Sequence, residues 1–129
     1  METFDLLIIG AGPGGYCAAI RAAQNGLKTA LVEKDGRLGG TCLNVGCIPT
    51  KALLESSRLF ALLDADPVEC GLAQHGVEVS APKLNLTALL ERKNRVVAEL
   101  TDGIARLMKR HKIAVFQGRG RAQSTAVAD

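Results

Sequence analysis

An α/β fold built on a parallel sheet is what this sequence predicts, and three observations lead to it. Thr3–Ile9 is a short apolar run that ends directly on Gly10-Ala11-Gly12-Pro13-Gly14-Gly15. An Ala-rich helical stretch, Tyr16–Asn25, follows and is closed by Gly26, and Leu27–Glu33 is again a strand-like run. Strand, glycine turn, helix and strand in that order make a βαβ unit, in which the strands lie parallel through a right-handed crossover.

The first run, with no polar alternation, reads as a strand buried on both faces. In the turn, Gly10, Gly12 and Gly15 satisfy G-x-G-x-x-G. The first glycine permits the tight turn, the second lets backbone approach a pyrophosphate, and the third lets helix and strand pack closely. Pro13 falls at the helix start, where a missing N–H has no consequence, and free N–H groups at that end face an anion. Glu33 closes the second strand 21 residues after Gly12, near the spacing at which a carboxylate takes ribose hydroxyls. Turn and acid together define a Rossmann-like dinucleotide site without choosing between FAD and NAD.

Residues 34–41 form a glycine-containing loop, and Thr41 to about Leu63 is predicted as a second helix, bent or interrupted by Pro49. Asp64 to Asn85, with Pro67, Gly71, Gly76 and Pro82, reads as a surface connection with a short strand at Val77–Val79. Leu86–His111 is a long helix. Leu86, Leu89, Leu90, Val96, Val97, Leu100, Ile104, Leu107 and Met108 make its apolar stripe, and Asn85 or Thr87 is its N-cap. Lys109, Arg110 and Lys112 sit where cations suit the helix dipole. Ile113–Phe116 is a third strand, and 121–129 alternates in a β-like manner. Three parallel strands with three helices amount to the first half of a doubly wound sheet, so the chain is expected to be an incomplete domain.

Composition narrows the partners. At 129 residues one domain with a core is possible. A net charge of +3 is too small to imply a polyanion partner, and 3% aromatic content without Trp offers no stacking platform for nucleic acid. Arg106, Lys109, Arg110, Lys112, Arg119 and Arg121 therefore read as a solvated helix end and loop. No run of 18 apolar residues indicates a membrane span. With no charged leader at the N-terminus, the expected compartment is the cytoplasm, or the mitochondrial matrix if a transit peptide has been removed.

The 4 cysteines do not form a secreted framework. Cys42 and Cys47 are clustered, while Cys17 and Cys70 stand alone. An offset of five on a regular helix separates side chains by about 140° in rotation and about 7.5 Å along the axis. Disulfide geometry wants α-carbons within about 6.8 Å. Bridging thus needs a distorted turn, which Gly46 and Pro49 permit, and an irregular disulfide is the more easily reduced. A redox pair is the favoured reading, with two inert buried cysteines as the alternative. A zinc site would need paired ligand spacings that His75, His111, Cys17 and Cys70 lack, so no metal is expected. Lys51, four residues after Cys47, is placed to lower a thiolate pKa, or is simply solvated.

The run GGTCLNVGCIPTKALL resembles the active-site segment of the FAD-dependent pyridine nucleotide–disulfide oxidoreductases, and HGVEVSAPKLNL and TDGIARLMKRHKI extend the resemblance over nearly the whole chain. The resemblance implies that Gly10, Gly12 and Gly15 hold the FAD pyrophosphate and Glu33 the adenosine ribose. Lys34, Gly40, Thr41 and Cys42 would line the cofactor, with Gly118 near the adenine. Cys42 would be the thiol that exchanges with substrate, Cys47 the thiol against the flavin, and Lys51 a neighbour of the flavin's reactive edge. It further implies electron flow from dihydrolipoamide through the cysteines and FAD to NAD, with glutathione or mercuric ion as sister substrates. The implied partners are a lipoyl-bearing acyltransferase of a 2-oxo acid dehydrogenase complex and a second subunit in a homodimer. The second FAD-contacting segment, the NAD domain and the dimerisation domain of that family lie outside the sequence. The chain alone is therefore expected to be inactive, a truncated FAD-binding module.

Overall fold

A computed structural model describes residues 2–65 and 71–122. Along the chain run β1 (Leu6–Ile9), α1 (Pro13–Gln24), β2 (Thr29–Glu33), α2 (Gly40–Asn44), α3 (Cys47–Asp64), α4 (Leu86–Arg110) and β3 (Ala114–Gln117). The strands form one parallel sheet in the order β1-β2-β3, with Leu7 opposite Ala30 and Val32 opposite Phe116. The α/β expectation holds.

Both crossovers step the same way across the sheet. Right-handed connections then place α1 and α4 on the same face, where Ile8, Leu31, Ile104, Met108 and Ile113 share the core. The opposite face has no helix over it among the described residues. This corrects the expectation that β1 is buried on both faces: Leu7 and Ile9 are 55% and 53% exposed. The central strand β2 is covered more fully, with Ala30 and Leu31 at 0%.

The predicted single helix over 41–63 is two helices, and the break is not at Pro49. It falls at Val45–Gly46, where Gly46 takes φ −117° and ψ −113°. Pro49 is the third residue of α3, a position with no intrahelical N–H bond to lose. In α4, Asn85 is the N-cap and its side chain accepts from the Ala88 N–H at 3.0 Å. The buried stripe is narrower than predicted: Val97, Thr101, Ile104 and Met108 are buried, whereas Leu86 and Leu90 are exposed. Thr101 is tolerated there because its hydroxyl donates to the Val97 carbonyl at 3.0 Å.

Val77–Val79 is not a strand; among the described residues it pairs with no strand of the sheet. A 3₁₀ turn at Leu72–His75 precedes it, bounded by Gly71 and Gly76 in the left-handed region. Pro67, Cys70 and the alternating segment beyond Ala122 lie outside the described residues.

Candidate functional site

The site grows from the C-terminal end of β1. Gly10 extends the sheet by donating to the Val32 carbonyl at 2.7 Å and takes φ +99° to turn the chain into α1. Gly15 lies against that turn so tightly that a Cβ would sit 1.8 Å from the Gly10 carbonyl oxygen. A Cβ on Gly12 would meet nothing within 4 Å, so backbone there is open to a ligand. Gly12 caps α1 without a side-chain hydrogen bond, which leaves first-turn N–H groups available at the positive helix end. An open glycine and unpaired donors fit a pyrophosphate.

Glu33, at the end of β2, is 6% exposed. Its Oε2 accepts from the Ala11 N–H at 2.7 Å and its Oε1 from the Asp35 N–H at 3.0 Å. Burial pushes the carboxyl toward a higher pKa, but the N–H groups of Asp35, Ala11 and Lys34 outweigh it and hold it below the usual range. Glu33 is therefore an ionised acid tied to the glycine turn, with acceptor capacity left for a further donor.

The cysteine segment is bolted to the same turn. The Gly39 N–H donates to the Ala11 carbonyl at 2.8 Å. A Cβ on Gly40 would lie 2.7 Å from Gly12 Cα. Backbone meets backbone here, and only glycine permits it at φ +104° and +59°. The Asn44 side chain closes the loop by donating to the Gly40 and Leu38 carbonyls at 2.9 and 3.2 Å.

Cys42 lies in α2 and Cys47 opens α3, so the break at Gly46 separates them as the disulfide argument required. A Cβ on Gly46 would lie 3.1 Å from the Thr41 carbonyl oxygen and 3.5 Å from Cys42 Cα, which shows how closely α3 folds back over α2. Both cysteines are free thiols, Cys42 half-buried and Cys47 exposed. The Cys42 pKa is raised, first by hydrogen bonding with the Cys47 side chain, then by burial and by the charge of Cys47. The Cys47 N–H and the Lys51 ammonium pull it down, and do not prevail. Lys51 thus acts in the expected direction at Cys42 but is outweighed there. Two sulfurs in contact cannot both ionise easily, and Cys42 is held as the thiol.

Gly10, Glu33, Lys34, Gly40, Thr41 and Gly118 line one cleft of about 470 Å³, together with Arg119. Cys42, Cys47 and Lys51 do not line it, although Cys42 directly follows Thr41. A separate apolar cavity of about 400 Å³ between α4 and β3 shares only Glu33 with the predicted site residues. His75 and His111 line neither.

Two residues near the site, Asn44 and Tyr16, escape the sequence reading, and a third, Arg119, reads there only as part of a solvated loop although it lines the cleft. Asn44 carries no motif signal. Tyr16 packs against the same core cluster as Cys42, and its phenol pKa is raised by burial and by the charges of Cys17 and Cys42; its nearness to Cys42 exists only in three dimensions.

A parallel βαβαβ sheet whose dinucleotide turn is seated against two short-linked helices, each carrying one cysteine, defines a class of flavoprotein disulfide oxidoreductases. The chain belongs to the pyridine nucleotide-disulphide oxidoreductase family, which it matches over residues 4–129. It is 50% identical over 117 residues to a mitochondrial dihydrolipoyl dehydrogenase of Pisum sativum, an alignment covering 91% of this chain and 22% of that protein. Dihydrolipoyl dehydrogenase 3 of Pseudomonas aeruginosa is 49% identical over 123 residues, covering 95% and 25%. A leghemoglobin reductase of Glycine max is 48% identical over 120 residues, covering 93% and 22%. The chain thus spans between about a fifth and a quarter of the length of the curated relatives it matches. No helix among the described residues is long and apolar enough to cross a membrane.

Proposed function

We propose that residues 1–129 are the N-terminal part of the FAD-binding domain of a dihydrolipoyl dehydrogenase, which oxidises dihydrolipoamide to lipoamide with NAD as final acceptor. The observation that carries this reading is the seating of Gly40 on Gly12, which fixes the cysteine helix to the dinucleotide turn. The N–H groups at the start of α1 would hold the FAD pyrophosphate and Glu33 the ribose, with Lys34, Gly40, Thr41 and Gly118 along the cleft. Bound there, FAD supplies a two-electron acceptor for the dithiol, and NAD is taken by a domain outside this sequence.

The chain's own chemistry is thiol–disulfide exchange. With the pair oxidised, a substrate thiolate attacks Cys42 Sγ, the Cys42–Cys47 bond breaks, and Cys47 leaves as a thiolate. The second substrate thiol loses its proton and attacks the mixed disulfide. Cys42 Sγ is released, lipoamide closes, and two electrons have entered the cysteine pair. Cys42 then takes up a proton, in keeping with its raised pKa, while Lys51 offers a cation to the charge left on the sulfurs.

The partners proposed are a lipoyl-bearing acyltransferase component and a second subunit; the compartment is the cytoplasm or the mitochondrial matrix. The test is anaerobic reduction of the full-length protein with dihydrolipoamide. A long-wavelength absorption band should grow, and should be lost in Cys47→Ser. FAD-replete protein giving no such band would refute the reading. Faster turnover with glutathione disulfide, mercuric ion or a haem protein would move the assignment to a sister reductase. The Glycine max relative, a leghemoglobin reductase, supports including the last substrate.

A further inference from the structure

We propose that Arg119 grips the adenine end of the cleft, its flat guanidinium lying over the purine of the cofactor. The inference rests on the flavoprotein reading above and adds to it a side chain that reading does not use.

Arg119 stands between two anchored glycines. The Gly118 N–H donates to the Glu33 carbonyl at 2.8 Å, tying the chain after β3 to the end of β2. Gly120 rests on β1, where an added Cβ would lie 2.9 Å from Ile9 Cγ1. The backbone around Arg119 is thus held to both neighbouring strands, while its side chain is exposed and lines the cleft beside Glu33 and Lys34. Among the described residues its guanidinium takes part in no ion pair.

Ligand chemistry supplies the direction. If the diphosphate sits at the start of α1 and the ribose hydroxyls at Glu33, the purine leaves the ribose at C1′, across the ring from the 5′-phosphate. It therefore extends beyond Glu33, toward the ends of β2 and β3, which is where Gly118–Gly120 lie. Among the described residues lining the cleft none is aromatic. Ile9 and Val32 offer an apolar flank, and Arg119 is the lining side chain with an extended planar cation. Guanidinium stacks on aromatic faces, and does so better than the compact ammonium of lysine.

The experiment uses full-length protein stripped of cofactor, wild type and Arg119→Ala, titrated with FAD, ADP and UDP. Flavin fluorescence and calorimetry read the affinities. UDP keeps the ribose and diphosphate and replaces the purine with a smaller base. R119A is expected to weaken FAD and ADP about three- to tenfold and UDP less than about twofold, so the preference for ADP over UDP narrows. The midpoint of thermal unfolding without ligand should not move, because the side chain is exposed.

Unchanged FAD and ADP affinity in R119A overturns the proposal. Equal weakening of ADP and UDP also overturns it, since the guanidinium would then act on the diphosphate by charge. A wild-type protein that takes up neither FAD nor ADP overturns the flavoprotein reading itself, and this proposal with it.

Discussion

Replacing Gly40 with alanine tests the join between the cysteine helix and the dinucleotide turn. The added methyl would lie 2.7 Å from Gly12 Cα and 3.2 Å from Gly12 N, both backbone atoms with no rotamer to yield. The two segments must part by several tenths of an ångström, and the Gly39 to Ala11 hydrogen bond at 2.8 Å resists that movement. Alanine also has to adopt φ +59°, a left-handed conformation that costs about 1–2 kcal/mol without glycine. Overpacking adds about 1–3 kcal/mol, for a total near 2–4 kcal/mol if the backbone relaxes in part. That is a large share of a stability of about 5–15 kcal/mol, and it corresponds to a fall of about 8–16 °C in Tm. Gly76→Ala is the control: its φ is +68°, and a Cβ there would meet nothing within 4 Å. It bears only the backbone cost, about 1–2 kcal/mol. The assay is thermal unfolding followed by circular dichroism, with the alkylation rate of Cys42 as a local probe. If Gly40→Ala loses no more stability than Gly76→Ala, the contact with Gly12 carries no energetic weight and the argument for a rigid join fails.

Other expectations concern single groups. Asn85→Ala removes the cap on α4 and should destabilise the protein by about 1 kcal/mol, read from denaturant midpoints, with Asn85→Ser restoring most of it. Glu33 has a depressed native pKa, so its contribution to stability is complete above the unfolded value of about 4.3 and disappears as pH falls through the lower native value. Acid unfolding curves of Glu33→Gln should therefore lack that component; superimposable pH profiles would contradict the pairing with Ala11 and Asp35. At Cys42, the contact with Cys47 is the largest influence raising the pKa, and Lys51 acts in the opposite sense. The pH profile of Cys42 alkylation should move to lower pH in Cys47→Ala and to higher pH in Lys51→Met.

What the sequence revealed was whatever a local pattern encodes. The βαβ unit, the glycine turn, Asn85 as a cap and the need for a break between Cys42 and Cys47 all follow from residue types within a few positions of one another. Misreadings arose where a distant element decides. Leu7 and Ile9 look like core by composition, but two crossovers in the same direction leave their face of the sheet without a helix among the described residues. Val77–Val79 has strand propensity but pairs with no strand among the described residues. Pro49 drew attention as a helix breaker, yet its position in the first turn of α3 made Gly46 the true interruption. Asn44 and Arg119 gain meaning only through the carbonyls and the cleft they reach.

Ala11 illustrates how such a design limits change. Its N–H is taken by the Glu33 carboxylate and its carbonyl by the Gly39 N–H, so one fully buried residue clamps both ends of the stretch between residues 33 and 39. That stretch cannot be lengthened or shortened without releasing an end, however polar and loop-like it looks. The connection from Gly76 to Leu84, whose ends share no such common point among the described residues, has slack by comparison. Loop-length variation among natural or engineered versions should accumulate in the second segment and be refused in the first.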